Sequence, residues 1–265
     1  MVVFERRLAS QMKHWISLSG GVGSGVSALT ARRFGYDFEL VFADTLIEDE
    51  DAYRFNRDIA RACSKELITL TTGKDPWDIF VEKRYIGNTR TAHCSTELKT
   101  RPVMRFLDKF AGAGDALVLG MDWSEQDRIE RAQGVWGDRP IVSLLNRHKI
   151  TRPQHGAILA LAGIKMPRLY EHGFPHNNCG GFCVKAGLKQ FKTLMTSFPE
   201  RFDQHEKRMS QVMEQIGPTA RPFLRKTVNG DVNYLTLAQF KEAVEDGQIE
   251  IGEYDYRGCG CFSDE

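Results

Sequence analysis

The stretch WISLSGGVGSG, Trp15 to Gly25, sets a short apolar run directly before four closely spaced glycines and then the helix-compatible VSALTARRFG. A glycine costs roughly 0.5–1 kcal/mol relative to alanine inside an ordered element. Gly20, Gly21, Gly23 and Gly25 together therefore imply that something approaches the backbone closely at this strand end. A strand, a Gly/Ser turn and a helix present free backbone N–H groups, backed by about half a positive charge from the helix dipole, which suits a phosphate. Tight packing of strand against helix is the competing explanation. The turn has neither the lysine of G-x-x-x-x-G-K-S/T nor the spacing of G-x-G-x-x-G.

Downstream of this turn, strand-like and helix-like segments alternate. HWISLS, FELVFADT (Phe38 to Thr45), ELITLTT (Glu66 to Thr72) and DALVLGM (Asp115 to Met121) read as buried strands. Between them, Val26 to Phe34, the acid-led IEDEDAYRFNRDIARACSK and RPVMRFLDKF read as helices, with Pro102 suited to a first turn. Alternation of this kind predicts parallel βαβ units in an α/β fold with a doubly wound parallel sheet. Ligands then sit beyond the carboxyl ends of the strands, here Ser19 to Ser24, Ala43 to Thr45 and Gly120 to Ser124. From about Thr151, a candidate helix cap, the pattern gives way to QHGAILALAGI, a Cys/Gly/Asn loop, polar helices and a cysteine-rich C-terminal extension. The expected division is residues 1–150 for a nucleotide-binding domain and 151–265 for a helical, cysteine-bearing region.

Lysine and arginine number 36 against 35 acidic residues, so net charge offers no argument for nucleic acid or membrane surfaces. No apolar run approaches a membrane span, and the N-terminus lacks signal-peptide order, so a cytoplasmic protein without membrane association is expected. In that compartment the six cysteines suit metal binding or chemistry better than disulfides.

Five motifs in order, LSGGVGS, VFADTLIEDEDAYRF, HCSTELKTRPVMRFL, LGMDWSEQDRIERA and GFPHNNCGGFCVKAG, resemble the PP-loop ATP pyrophosphatase superfamily (adenine nucleotide alpha-hydrolase-like). Within it they are similar to the phosphoadenosine phosphosulfate (PAPS) reductase family, including phage-encoded and DNA-phosphorothioation members. The resemblance implies a pyrophosphate cradle of Ser19, Gly20, Gly21, Val22, Gly23 and Ser24, with Asp44 near the adenosine and Gly120 permitting close backbone approach. It implies ATP, or PAPS or adenylyl sulfate, as the bound nucleotide, with Mg2+. It makes Lys99 an oxyanion-binding residue, flanked by Arg90 and Arg101, and turns Glu125, Arg128 and Arg131 into the cleft. An i,i+3 pair between Glu125 and Arg128 is the plainer reading of those two. The departure from the family pattern is Gly23, where the superfamily carries an aspartate that helps position magnesium-bound pyrophosphate.

Cys179 and Cys183 form one close pair, Cys259 and Cys261 another, and two such pairs separated by a polar helical segment are a metal-site pattern. Zinc would make the site structural. By resemblance to cluster-bearing adenylylsulfate reductases, the His93-Cys94 segment joins them, giving a 4Fe–4S cluster from Cys94, Cys179, Cys183 and one of Cys259 and Cys261. The thiol left over, with Cys261 the candidate, is then free to carry sulfur. Cys63 reads as an ordinary buried thiol, and His176 as a loop hydrogen-bonder, though His172 and His176 are near enough in sequence to complete a mixed zinc site.

Three functions are compatible with these residues. The first is ATP-dependent sulfur transfer through an adenylated substrate, fed by a sulfur donor such as a cysteine desulfurase, with a nucleic acid among the possible acceptors. The second is reduction of PAPS or adenylyl sulfate, although the tail YRGCGCFSDE lacks the E-C-G-L/I-H ending common to such reductases. The third is a zinc-stapled nucleotide-binding regulator without catalysis. A homodimer is expected from the relatives alone.

Overall fold

A computed structural model describes residues 12–88, 90–228, 231–249, 251, 252 and 255. The chain opens with β1 (His14–Leu18), α1 (Val22–Arg33), β2 (Phe38–Asp44), α2 (Glu50–Cys63), β3 (Leu67–Thr71) and α3 (Pro76–Lys83). A short α4 (His93–Ser95) runs through a π-helical turn, Thr96–Thr100, into α5 (Arg101–Phe110). Then come β4 (Ala116–Val118), a 3-10 turn at Trp123–Glu125, α6 (Gln126–Trp136), β5 (Ile141–Val142), α7 (Leu144–Arg147), α8 (Arg152–Leu161) and α9 (Arg168–Glu171). A 3-10 segment at Asn178–Gly181 leads to α10 (Leu188–Ser197), α11 (Pro199–Ile216), the hairpin β6 (Leu224–Val228) and β7 (Asp231–Leu235), and α12 (Leu237–Glu245).

The first five strands make one parallel sheet in the order β3-β2-β1-β4-β5. The order reverses between β1 and β4, so the crevice of a doubly wound sheet opens there. Side chains of β1 alternate between the two faces, as a pleated strand requires. Ile16 and Leu18 join Val26, Leu29, Phe55, Ile59 and Leu144 beneath α1, α2 and α7. Trp15 joins Val41, Val103, Leu107, Leu117 and Trp136 beneath α5 and α6. A third core, built on Trp77, Phe80, Phe182, Phe191, Phe202 and Phe240, ties α3 to α10, α11 and α12.

The predicted first four strands are all present, and so are the Thr151 and Pro102 helix starts. The fifth strand, only two residues long, lay below what periodicity reveals. The largest difference is α1, which begins at Val22 and not Val26, so that Gly23, Ser24 and Gly25 are helical. Much of what approaches this backbone is therefore protein. A Cβ on Gly25 would lie 2.6 Å from the ring of Phe55, and one on Gly23 would lie 2.3 Å from the Gly120 carbonyl oxygen. Gly20 is glycine for a different reason: it turns the chain with φ +76° against Ala52.

Candidate nucleotide cleft and adjoining thiol hollow

The N-terminus of α1 opens on a cleft of about 500 Å³ at the β1/β4 crevice. Gly21 caps the helix without a side-chain hydrogen bond, and the first turn carries no acidic residue. Its positive end is thus uncompensated by a local carboxylate. Ser19, Gly21, Val22, Gly23 and Ser24 line the cleft together with Gly120, Met121 and Asp122 from the β4 extension. Ser24 is buried and braces the turn: its hydroxyl donates to the Gly21 carbonyl at 2.8 Å and accepts from the Ser19 N–H at 3.1 Å. The Val22 N–H donates to the Tyr170 hydroxyl at 3.3 Å, and Asn177 Nδ2 donates to the Gly20 carbonyl at 2.8 Å, so the α9 region pins the turn from outside. Gly20 itself carries the bend and is not among the cleft-lining residues.

Gly120 permits a close approach, but of backbone to backbone, since a Cβ there would lie 2.2 Å from the Ser24 nitrogen. The same packing explains Gly23. An aspartate at that position has no room for its Cβ unless β4 and α1 separate.

The far wall carries charge. Arg128 lines the cleft and pairs with Glu125, so the cleft reading and the helical-pair reading of this residue both hold. Arg152 pairs with Asp122 at 2.5 Å and with Glu125 at 3.4 Å. Burial opposes ionisation of Asp122, but hydrogen bonds from Ser124 and Arg152 outweigh it and hold its carboxyl below the usual range. Arg131, expected in the cleft, is exposed on α6 and not among the lining residues. Asp44 is also elsewhere: it accepts from the Leu46 N–H at 2.9 Å and the Tyr53 hydroxyl at 2.7 Å, and with burial it raises the Tyr53 pKa.

Two histidines line the cleft. His155, missed in the sequence, sits on α8 with Nε2 unpartnered; burial lowers its pKa, partly offset by Asp122. His176 has neither ring nitrogen hydrogen-bonded, so it does not tie the loop as expected. Burial, then Lys99 and Arg128, push it down to about 4. His172 is exposed and meets Phe198 edge-on, 4.8 Å between ring centroids.

A second, smaller hollow lies beside the cleft, bordered by Cys94, Cys179, Cys183, Lys99 and Lys185 over apolar Phe80, Leu98 and Phe182. Cys94 and Lys99 are five residues apart, and the i→i+5 geometry of the intervening π turn brings both to this wall. The Lys99 side chain, 4% exposed, pairs with Glu48 at 3.2 Å and reaches Cys179 Sγ at 3.6 Å. Glu48 also accepts from Thr45 at 2.9 Å and from the Cys179 N–H. Lys99 therefore sits in a buried ion pair, whereas Arg90 and Arg101 are exposed, the latter paired with Glu97. Cys179 holds a left-handed backbone, φ 53°, followed by Gly180 and Gly181, also at positive φ. Cys63 is buried apart from the others, its thiol pushed up to about 11 mainly by burial.

Three of the predicted ligand cysteines thus border one hollow. Among the described residues, however, no three His, Cys, Asp or Glu side chains are close enough to hold a metal ion. Cys259 and Cys261 lie outside the described residues, so those present do not complete the expected four-thiol site or a mixed site with His172 and His176. No helix among the described residues is long and apolar enough to cross a membrane.

Parts of the chain are similar to known proteins. Over 94 residues the chain is 33% identical to an uncharacterized protein of Methanocaldococcus jannaschii, covering 36% of this chain and 22% of that one. Over 118 residues it is 32% identical to a tRNA-specific 2-thiouridylase of Pectobacterium carotovorum, covering 39% of this chain and 32% of that one. The matched part is less than two thirds of either relative. Among solved structures, a PAPS reductase from Candida auris in complex with phosphate aligns with TM-score 0.44 and 16% identity over 61% of this chain and 78% of that one. An NH3-dependent NAD synthetase from Campylobacter jejuni aligns with TM-score 0.39 and 14% identity over 79% and 86%. Residues 13–262 match the phosphoadenosine phosphosulfate reductase domain, and the chain accordingly belongs to the PAPS reductase family of the PP-loop superfamily.

Proposed function

We propose that the chain is an adenine-nucleotide enzyme that activates a substrate with ATP and passes sulfur to it. The observation that carries this reading is the uncapped, acid-free N-terminus of α1 opening on the cleft at the β1/β4 crevice. Backbone amides at the α1 N-terminus receive the β- and γ-phosphates, the Val22 N–H exchanging its Tyr170 partner for phosphate oxygen, with Mg2+ accompanying them, while Arg128 and Arg152 face the α-phosphate. A substrate oxygen attacks the α-phosphorus, the bridging P–O bond breaks, and pyrophosphate leaves against the helix dipole, which stabilises the developing charge. The terminal sulfur of a persulfide passed on by a donor such as a cysteine desulfurase then attacks the activated carbon, its C–O bond to phosphate breaks and AMP leaves. A second thiol cleaves the S–S bond, releasing the thiolated substrate and leaving a disulfide.

In this reading residues 1–150 form the nucleotide-binding domain and contribute Cys94, while 151–265 add the other thiols and one wall of the cleft. Cys94, Cys179 and Cys183 would be three ligands of a 4Fe–4S cluster, or of zinc, with one of Cys259 and Cys261 the fourth; Cys261, where Cys259 fills that place, would be the sulfur carrier. Support comes from the shared hollow. A cluster would supply redox or sulfur-holding capacity. Lys99, paired with Glu48 at 3.2 Å, sets its side-chain nitrogen 3.6 Å from the Cys179 sulfur.

The test is calorimetric titration with ATP and with PAPS, each with and without Mg2+, alongside pyrophosphate release. ATP binding with pyrophosphate release that depends on an acceptor supports the reading. Tight PAPS binding without ATP cleavage replaces it with sulfonucleotide reduction. Ser24→Ala combined with Gly21→Val is expected to abolish nucleotide binding while leaving the far-ultraviolet circular dichroism unchanged. Iron and zinc content of protein purified without oxygen decides the metal.

A further inference from the structure

A third pocket, about 210 Å³, lies away from both sites, between the turn at Asn88–Thr91 and the β6–β7 hairpin. Its lining is Asn88, Arg90, Phe223, Arg225 and Tyr234. In the hairpin register Arg225 stands directly opposite Tyr234, and Val232 shares the face of Tyr234 two residues away. Tyr234 and Val232 are 47% and 46% exposed. Among the described residues neither Arg90 nor Arg225 has an ion-pair partner, and the buried Nε of Arg225 has no hydrogen-bond partner. This contrasts with the cleft, where Arg128 and Arg152 are neutralised by carboxylates.

We propose that this pocket docks a single-stranded nucleic-acid segment, with a base on Tyr234 and a backbone phosphate between Arg90 and Arg225. Two unpaired guanidiniums suit a phosphodiester oxygen pair, and an exposed phenol ring beside them suits a base face. An acidic peptide would use the charges but not the ring. The turn that supplies Arg90, closed by the Asn88 N–H on the Thr91 carbonyl at 2.8 Å, continues into Ala92 and Cys94 on the wall of the thiol hollow. A strand bound at the hairpin is thereby connected to that hollow by the same short segment. As the docking site of an acceptor this rests on the function proposed above, and it names the acceptor's class.

The experiment is fluorescence anisotropy with labelled oligouridylate, labelled oligothymidylate and a labelled poly-glutamate, using the full chain. Wild type is expected to bind the oligonucleotides, and the difference between the two separates an RNA from a DNA acceptor. Arg90→Glu with Arg225→Glu is expected to weaken binding at least tenfold. It should also lower the slope of log affinity on log salt by about 0.7, the value for one single-strand phosphate contact. Tyr234→Ala is expected to cost about tenfold, in the range of one lost base stack. ATP affinity of the same variants, measured at the α1 cleft, should be unchanged, which reports intact folding and keeps the two readings separable. The docking proposal is overturned if the oligonucleotides do not bind, if the double variant binds them as wild type does, or if poly-glutamate binds equally well.

Discussion

Gly23→Ala adds one methyl group at the second position of α1, where its Cβ would stand 2.3 Å from the Gly120 carbonyl oxygen. Restoring even a 3.0 Å contact requires the helix start and the β4 extension to part by about 0.7 Å, with backbone on both sides and no flexible side chain to yield. Overpacking of this kind costs about 1–3 kcal/mol. Replacing a helical glycine by alanine returns about 0.5–1 kcal/mol, so the net expectation is a loss centred on about 1 kcal/mol. Gly134 supplies the control: it is helical, exposed and has nothing within 4 Å of its Cβ position, so Gly134→Ala should gain about 0.5–1 kcal/mol. Urea midpoints with matched slopes read both. Nucleotide affinity of Gly23→Ala should fall as well, because the amides of the first turn move with the helix start. If Gly23→Ala is as stable as wild type or more so, the packing account of this glycine is wrong. Gly23→Asp sharpens the point, since restoring the aspartate usual in the superfamily is expected to lower ATP turnover here and not raise it.

Buried charges and thiols give the remaining expectations. Lys99→Ala leaves Glu48 buried without its cation and should cost about 3–5 kcal/mol in urea unfolding, much of it recovered in Lys99→Met with Glu48→Gln. His205 is pushed down to about 3, by burial first and then by Arg201 and Arg208, and its Nδ1 accepts from Trp77 Nε1 at 3.2 Å. The unfolded chain binds a proton that this imidazole does not, so stability rises with pH from about 3 to 6.5 and is lost as pH falls through that window. The contribution approaches 1.4 kcal/mol per pH unit, and His205→Gln should remove it. His176 acts in the same direction from about 4 to 6.5, so the wild-type slope there should exceed that of either single variant. Peptide mapping after iodoacetamide treatment at pH 8 should find Cys63 unmodified in the folded protein; labelling at the rate of a free cysteine would contradict its burial.

Legibility in the sequence depended on the range of the interactions. Strands β1, β2 and β4 were legible because burial on both faces makes continuous apolar runs such as FELVFAD, which stand out without tertiary knowledge. The acid-led start of α2 and the cap at Thr151 were legible for the same local reason. Gly23 and Gly25 were not, because their partners, Gly120 and Phe55, lie far along the chain, and a glycine needed for packing looks the same as one needed for a ligand. Asp44 was assigned by position in a motif, whereas its side chain is committed to Tyr53, nine residues on. His155 carried no sequence signal at all: an isolated histidine on an apolar helix is most often core, and only the cleft distinguishes it. Cys94, Cys179 and Cys183 were grouped by resemblance and do border one hollow, and it is the π turn, invisible in residue pattern, that lets Cys94 and Lys99 share a wall.

The nucleotide cleft and the thiol hollow meet at Asn178 and Cys179. Asn177 is anchored to Gly20, Asn178 faces the cleft, and Cys179 faces the hollow, so a single residue step of about 3.8 Å is the whole partition at this point. The two chambers thus adjoin through one peptide unit. Cys179, Gly180 and Gly181 hold positive φ, and the latter two carbonyls are gripped by Arg201 and Gln190, each at 2.8 Å. Asn177, tied to Gly20, and the gripped glycines fix this step from both sides, and Cys179 is held within it by its N–H on Glu48 and its sulfur against Lys99. The phosphate turn and the thiol next door therefore share one hydrogen-bonded frame.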